Sequence, residues 1–552
     1  MITVETVEQC NDFKRNNLHD TINDEESKQS KKKFKGQNHN RRNKMFKARK
    51  QREMNQMKMC KQYCREGTCT YGSNCTFSHD LDKFIETERK PDIADQCYNY
   101  ATFGKCNYGL LCRFGNSHLK DGRINLIDND KCVQSNIESN SRNQISKEIQ
   151  MSLRKKQYDF KRANTISDLI HSNKLSIEDA KKEGRSVPLK KKLNFDNKLY
   201  LAPLTTVGNL PFRRICKEFG ADITCGEMAL CQSILEGSQS EWALLRRHHT
   251  EDFFGVQICG ASPQQLSRVA QLITEQCDVD FIDLNMGCPI DLIYRKGAGS
   301  ALMERKKKLD EIIYSMTSVA DVPLTLKMRT GVYQNRNIAH SVISTVREWT
   351  NDRIGLITLH GRSREQRYTK LADWHYINEC VNELNNASID SKPIPLFGSG
   401  DVMSHEEYYE RMESSGVNGI MIARGALIKP WLFTEIKERR TWDISASERM
   451  DILKKFVNYG LENWGSDTDG VEKTRRFLLE WISFLYRYIP VGLLERLPQR
   501  INERPPRYIG RNDLETLFSS PSCKDWITIS EMFLGKVPDE FSFIPKHKAN
   551  AY

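Results

Sequence analysis

The segments PLFGSGD (Pro395–Asp401) and GIMIARGAL (Gly419–Leu427) decide the fold of this chain. Each is a short apolar run that stops at a glycine-containing turn, the pattern of a buried strand ending at a loop. Six runs of the same texture precede them: Leu199–Thr205 (LYLAPLT), Ile223–Ala229, Phe253–Gly260 (FFGVQICG), Asp280–Pro289 (DFIDLNMGCP), Leu324–Arg329 (LTLKMR) and Leu356–Arg362 (LITLHGR). Between runs lie amphipathic stretches such as SPQQLSRVAQLITEQC and NIAHSVISTVREWTND, long enough for crossover helices. Eight strand–helix repeats over roughly 240 residues predict an α/β TIM barrel, whose chemistry sits at the C-terminal strand ends.

Those ends carry a consistent set: Gln257 after the third strand, Asn285 and Cys288 after the fourth, Lys327 and Arg329 on the fifth, His360 and Arg362 on the sixth, Ser399, Gly400 and Asp401 after the seventh, Ala423 and Arg424 after the eighth. Cys288 stands in N-x-G-C-P, where Gly287 and Pro289 force a turn that presents the thiol at the rim. The turns after strands seven and eight are where such barrels bind phosphate through backbone N–H groups, with Arg424 adding a cation. No G-x-G-x-x-G ends a strand and no Walker loop is present, so the phosphate belongs to neither a tightly held dinucleotide nor a triphosphate. Flavin mononucleotide (FMN) fits. Lys327 facing the ring would stabilise charge on its reduced form, and Gln257 would hydrogen-bond its polar edge.

The rest of the 552 residues is organised around that barrel. No apolar stretch approaches the roughly 18 residues of a membrane span, so no membrane partner is expected. The first residues lack the apolar core of a secretory signal, and 17 cysteines then read as thiols or metal ligands in a reducing compartment, cytoplasmic and nuclear. Between Lys31 and Arg65 stand 14 Lys and Arg against one acid, Glu53, a local +13 where the whole chain has +12. Such a block stays extended and seeks phosphates; residues 1–58 are expected to form a disordered basic arm.

Two metal sets follow. Cys60, Cys69, Cys75 and His79 are spaced C-x8-C-x5-C-x3-H within 59–82; Cys97, Cys106, Cys112 and His118 give C-x8-C-x5-C-x5-H within 95–120. Four thiolate and imidazole ligands make a closed structural zinc site, which supplies folding energy to a segment too short for a core. Their aromatics (Tyr63, Tyr71 and Phe77; Tyr98, Tyr108 and Phe114) suit stacking on unpaired bases. Cys64 reads as a bystander. Residues 121–195 read as a polar linker with weak helical patterns, 196–436 as the barrel and 437–552 as a helical domain. There Arg475, Arg476, Trp481, Tyr486, Arg487, Tyr488, Arg496, Arg500, Arg504 and Arg507 suggest an RNA-facing surface. Three classes remain open on the residues alone: a flavin enzyme acting on RNA, a flavin barrel acting on a free small molecule, and an RNA-binding protein with an inactive barrel.

The combination LAPLT, QICG, DFIDLNMGCP, LKMR, LHGR, GSGD and IARGAL resembles the tRNA-dihydrouridine synthases, and the two CCCH sets, with the C-terminal run EKTRRFLLEWISFLYRYIPVGLLERLPQRINERPPRY, resemble their zinc-finger-bearing eukaryotic branch. The resemblance implies an FMN-dependent, NADPH- or NADH-driven reduction of the C5–C6 bond of a uridine in the variable loop of tRNA (position 47), with mRNA as a further substrate, by a monomer whose helical domain binds tRNA. It makes Cys288 the catalytic acid. Pro203, Leu204, Thr205, Gln257, Lys327, His360, Ser399, Gly400, Asp401, Ala423 and Arg424 would line the FMN, Arg329 would face the substrate, and Asn285 would contact the target base or the flavin. The family carries Asn where this chain has Ser399, a shorter hydroxyl donor that leaves the backbone cradle intact.

Overall fold

The computed structural model describes residues 45–46, 49–50, 53–136, 141–172, 174–349, 353–385, 394–491, 493 and 508–546. Of the basic arm only 45–46, 49–50 and 53–58 are described, and 53–56 are helical; the rest of that expectation lies outside the described residues. No helix among the described residues is long and apolar enough to cross a membrane. The chain divides into two compact units, residues 1–60 with 69–80, and 61–68 with 81–552.

In the first unit Cys60 N donates to Ser78 O at 2.9 Å and Ser78 N to Lys58 O at 2.9 Å, and a 3-10 turn spans Gly72–Asn74. These bonds draw the first and last ligand segments of the first metal set together.

The second unit is built on the expected barrel. Its strands are β1 (Tyr200–Leu201), β2 (Thr224–Cys225), β3 (Phe254–Cys259), β4 (Phe281–Met286), β5 (Leu324–Arg329), β6 (Ile354–His360), β7 (Leu396–Ser399) and β8 (Gly419–Ile422). All pair in parallel in the order β1-β8-β7-β6-β5-β4-β3-β2, and a parallel bridge from Tyr200 to Ile223 brings the first and last strands together. The crossover helices start where the sequence caps them: Asn209 caps Leu210–Glu218, Ser262 with Pro263 starts Pro263–Gln276, and Ser404 caps His405–Ser415, which ends at Gly416 with φ +66°.

Because side chains alternate along a strand, β4 puts Phe281, Asp283 and Asn285 on one face and Ile282, Leu284 and Met286 on the other. The second set joins the core beneath the helices; Phe281 joins a separate cluster with Tyr200, Phe397, Leu356, Met421 and Phe195 that fills the barrel. Gly255 and Gly419 make room for it, since a Cβ would lie 2.1 Å from the Phe281 ring and 2.4 Å from the Phe397 ring. Above this aromatic floor the inward positions become polar, and there the site begins.

Residues 121–195 are not a loose linker. Helices Lys147–Arg154, Lys161–His171 and Ile177–Lys182 belong to the second unit. Gln271 Oε1 accepts from Ala163 N at 3.0 Å, and Lys181 pairs with Asp310 on Lys306–Thr317. Beside these polar contacts Ile149, Leu153, Ile166 and Ile170 pack on the core, a face that the polar composition of the stretch understates.

The C-terminal helices Ala446–Trp464 and Thr468–Leu485 pack against each other and the barrel, Trp481 donating to Leu427 O at 3.0 Å. The expectation of an RNA-facing arginine surface needs correction here. Arg475 is 1% exposed and holds Ser530 Oγ, Leu534 O and Gly535 O; Trp481, Tyr486, Arg487 and Tyr488 are also buried. Arg476 is exposed, and Arg496, Arg500, Arg504 and Arg507 lie outside the described residues.

Candidate active site and metal centres

Strands β3, β4 and β5 build a buried polar relay. Asp283 accepts from Gln257 Nε2 at 2.7 Å and from Thr325 Oγ1 at 2.6 Å, and Gln257 Oε1 accepts from Asn285 Nδ2 at 2.9 Å. Asn285 Oδ1 then takes the N–H groups of Gly287 (3.1 Å) and Cys288 (2.8 Å), so the relay ends by shaping the turn that bears the thiol. Arg329 closes the same turn from β5, donating to Gly287 O at 2.7 Å and to Ser363 O at 3.0 Å. Asn285 and Arg329 therefore support the Cys288 turn from two sides.

Charge in this layer is tuned by burial. Asp283 is pushed up to about 6 by desolvation, against the pull of its two hydrogen-bond donors and Lys327. Lys327 is pushed down to about 8, first by desolvation and then by Arg329, while Asp283 holds its charge. Burial raises the Cys288 thiol, opposed by the N–H of Ile290 and by Arg329, Lys327 and Arg364. It stays protonated at neutral pH. His360 is pushed well below its usual value by desolvation and by four cations, so its imidazole is neutral.

Across the mouth, a cleft is lined by Pro203, Leu204, Lys327, Arg329, His360, Tyr368, Ser399, Gly400, Asp401, Ala423 and Arg424, among others. Thr205 is exposed and outside this lining, and Gln257 lies behind it in the relay. Asp401 accepts from Arg362, Arg424 and the Ala372 N–H, the last at 2.7 Å. Gly400 sits at φ +135°, where a Cβ would lie 2.5 Å from Ala372 Cβ. Arg424 Nη1 is buried and has no hydrogen-bond partner among the described residues. A buried guanidinium held by Asp401 through one nitrogen and left with the other unpartnered, beside a tight glycine turn, fits an anionic phosphate, and the neutral His360 and cationic Lys327 fit the polar edge of a flavin.

Three participants escaped the sequence reading of the site. Asp283 was hidden inside an apolar strand. Tyr368, whose ring lies 4.7 Å from the Arg424 guanidinium, sits in an irregular loop. Arg362 was noted at its strand end but given no role. The basic-aromatic texture of RSREQRYTK after β6 was the signal for Tyr368.

Both metal sets converge. In each, one ligand atom per residue lies within 4.8 Å of the others. Cys60 and Cys69 Sγ are 3.7 Å apart, Cys97 and Cys112 Sγ 3.8 Å. A tetrahedron with zinc–sulfur bonds of about 2.3 Å has edges of about 3.8 Å. In the second set His118 Nδ1 lies 2.9 Å from Asn125 Oδ1, while its buried Nε2 has no hydrogen-bond partner among the described residues and is left for the metal.

The aromatic expectation holds geometrically for only one set. Tyr71 and Phe77 are 70% and 39% exposed, but Phe114 is 4% exposed and Tyr98 packs edge-on to Tyr459. Tyr108 covers Gly465, where a Cβ would lie 2.3 Å from its hydroxyl. These three serve packing. Tyr63 and Cys64 belong to helix Lys61–Glu66 of the second unit, where Cys64 is buried and its carbonyl abuts Gly109.

Comparisons with known proteins agree with this geometry. The family described as "Dihydrouridine synthase (Dus)" matches residues 200–483, "DUS3L CCCH zinc finger domain" matches 89–121 and "CCCH-type zinc finger" matches 58–80. A protein of Xenopus tropicalis, named as a tRNA-dihydrouridine(47) synthase-like protein of the NAD(P)(+) type, is 51% identical over 96% of this chain and 84% of its own length. Its Homo sapiens namesake is 49% identical over 88% of this chain and 79% of its own.

Proposed function

This chain belongs to the dihydrouridine synthase family of flavin-dependent oxidoreductases, and from that premise we propose that it reduces the C5–C6 double bond of uridine 47 in tRNA, with Cys288 as the acid. The observation that carries the reading is the Cys288 turn, whose thiol is kept protonated by burial and held at the barrel mouth by Asn285 and Arg329. The family uses FMN with NAD(P)H. Lys327, His360, Ser399, Gly400, Asp401, Ala423 and Arg424 would hold the flavin, which when bound and reduced supplies hydride to C6.

The chain's own residues do the rest. Uracil's C5–C6 bond is conjugated to a carbonyl, so reduction needs a proton at C5, and Cys288 Sγ–H donates it. The thiolate left behind is stabilised by Arg329 and Lys327, the same cations that oppose the upward push on the thiol. Burial thus sets the proton in place, and the neighbouring charges let it go.

The basic arm and two zinc modules support an RNA substrate over a free small molecule, and the intact Cys288 turn and phosphate cleft support an active barrel. Messenger RNA as a further substrate, a monomeric state, no membrane partner and residence in cytoplasm and nucleus belong to the same proposal. Cys288→Ala should leave FMN bound and reducible by NADPH while dihydrouridine formation falls at least a hundredfold, the scale of a lost general acid. Turnover of tRNA within about threefold of wild type would move the acid to another residue.

A further inference from the structure

Two residues past Cys288 the chain leaves the barrel exposed and apolar. Ile290 is 51% and Leu292 64% accessible, at the start of the short helix Asp291–Arg295. They are firmly mounted. Arg364 pairs with Asp291 and lies 4.2 Å from the Tyr294 ring centroid, while the Tyr294 hydroxyl donates to Glu304 Oε2 at 2.9 Å. Beneath them Ile293 packs with Cys288, Cys259 and Ala298, and Ser300 Oγ donates to Cys288 O at 3.0 Å. The thiol and the two aliphatic side chains therefore ride on one braced turn, at a fixed offset from each other.

Their surroundings are cationic. Arg295 and Lys296 are exposed at the end of the same short helix, Arg305 is exposed beside Gly297, and the two nearby acids, Asp291 and Glu304, already have partners. An apolar point flanked by cations matches nucleic acid, with phosphates for the cations and the space of a base for the aliphatic groups.

We propose that Ile290 and Leu292 form a wedge that fills the stack position vacated when the target uridine enters the barrel mouth, with Arg295 and Lys296 on the flanking phosphates. This rests on the reading that the substrate is a uridine in folded RNA. A base must leave its stack to reach the site, and a side chain that takes its place offsets part of the unstacking cost and blocks its return. The braced turn couples insertion of the wedge to delivery of the base at Cys288.

The test uses FMN-loaded full-length enzyme and a tRNA transcript carrying 5-fluorouridine at the target position, read by 19F NMR with the flavin oxidised. At saturation the wild type should shift the fluorine signal to an unstacked position. Ile290→Ser with Leu292→Ser should bind yet leave the stacked signal, and its single-turnover rate on unmodified tRNA should fall about tenfold or more. NADPH reduction of its flavin should be unchanged, and Ile290→Met with Leu292→Met should restore most of the rate. A wild-type shift in the serine variant, or tRNA reduction within about twofold of wild type, overturns the wedge alone. Failure of the wild type to reduce tRNA overturns the substrate reading and the wedge with it.

Discussion

Cys60, Cys69, Cys75 and His79 stand in a compact unit of their own, three of the four partly exposed, whereas Cys97, Cys106, Cys112 and His118 are each no more than 1% exposed. The cysteine spacing is identical in both sets, and only the last gap differs. What separates them is the company each keeps. Arg113 N donates to Ser466 O at 2.8 Å, Cys106 Sγ lies 3.5 Å from Ser466 Oγ, and Asn99 reaches Leu461 O, so the second module is part of the helical domain's core. The first offers Tyr71 and Phe77 to solvent. Ligand spacing specifies a metal; the neighbouring surface decides whether the module is a brace or a hand.

The strongest way to break this comparison is to remove one ligand from each. Cys106→Ser should lose one zinc and lower the melting temperature of the catalytic body by about 10 °C, since a structural site's binding energy, about 10 kcal/mol or more, is folding energy, and each kcal/mol shifts a body of this size by about 1 °C. FMN retention should fall with it. Cys69→Ser should also lose one zinc but leave the main transition and NADPH reduction of the flavin in place. Differential scanning fluorimetry with zinc analysis checks both; equal thermal losses would erase the distinction between brace and hand.

A gentler cut keeps both metals. Tyr71→Ala with Phe77→Ala removes two exposed stacking faces, each worth about 1–3 kcal/mol per base, so the apparent KM for tRNA should rise about tenfold or more with kcat unchanged. Tyr98→Ala should do the converse, lowering thermal stability while tRNA KM moves little. A rise in KM from Tyr98→Ala at unchanged stability would return the second module to RNA contact.

The same contrast shows what was legible in the sequence. The eight strands could be read because each is an apolar run cut off by a polar or glycine turn, and the cleft residues because barrel chemistry collects at those ends. Arg475 misled because arginine in an amphipathic helix reads as solvated, yet here its guanidinium satisfies the carbonyls at the end of Cys523–Leu534. Helix Lys161–His171 was legible only in part: its weak helical pattern carries Ile166 and Ile170, which pack on the core, but its docking also rests on Gln271 with Ala163 and Arg268 with Asn164, and hydrogen bonds leave no periodicity. Asp283 shows the limit most clearly. One acid in an apolar strand has no pattern, and its role appears only when Gln257 and Thr325 from neighbouring strands arrive beside it.

The finest test asks whether the second module is rigid because of its metal or because of its packing. Asn125 touches no zinc ligand atom except through His118: its Oδ1 meets Nδ1, while its Nδ2 donates to Cys106 O at 3.1 Å. Losing such an outer partner typically costs 10–100-fold in metal affinity. Asn125→Ala should therefore keep both zincs and nearly full activity with metal in excess, yet release one zinc much faster than wild type to a chelator. The informative quantity is what the catalytic body does at that moment. If packing against Ser466 and Leu461 were sufficient, the melting temperature would hold after the zinc has gone. Because Cys97, Cys106, Cys112 and His118 are all buried, metal loss replaces four strong bonds by weak thiol contacts and leaves an imidazole to be solvated inside the core, and the expected outcome is a fall in melting temperature in step with zinc release.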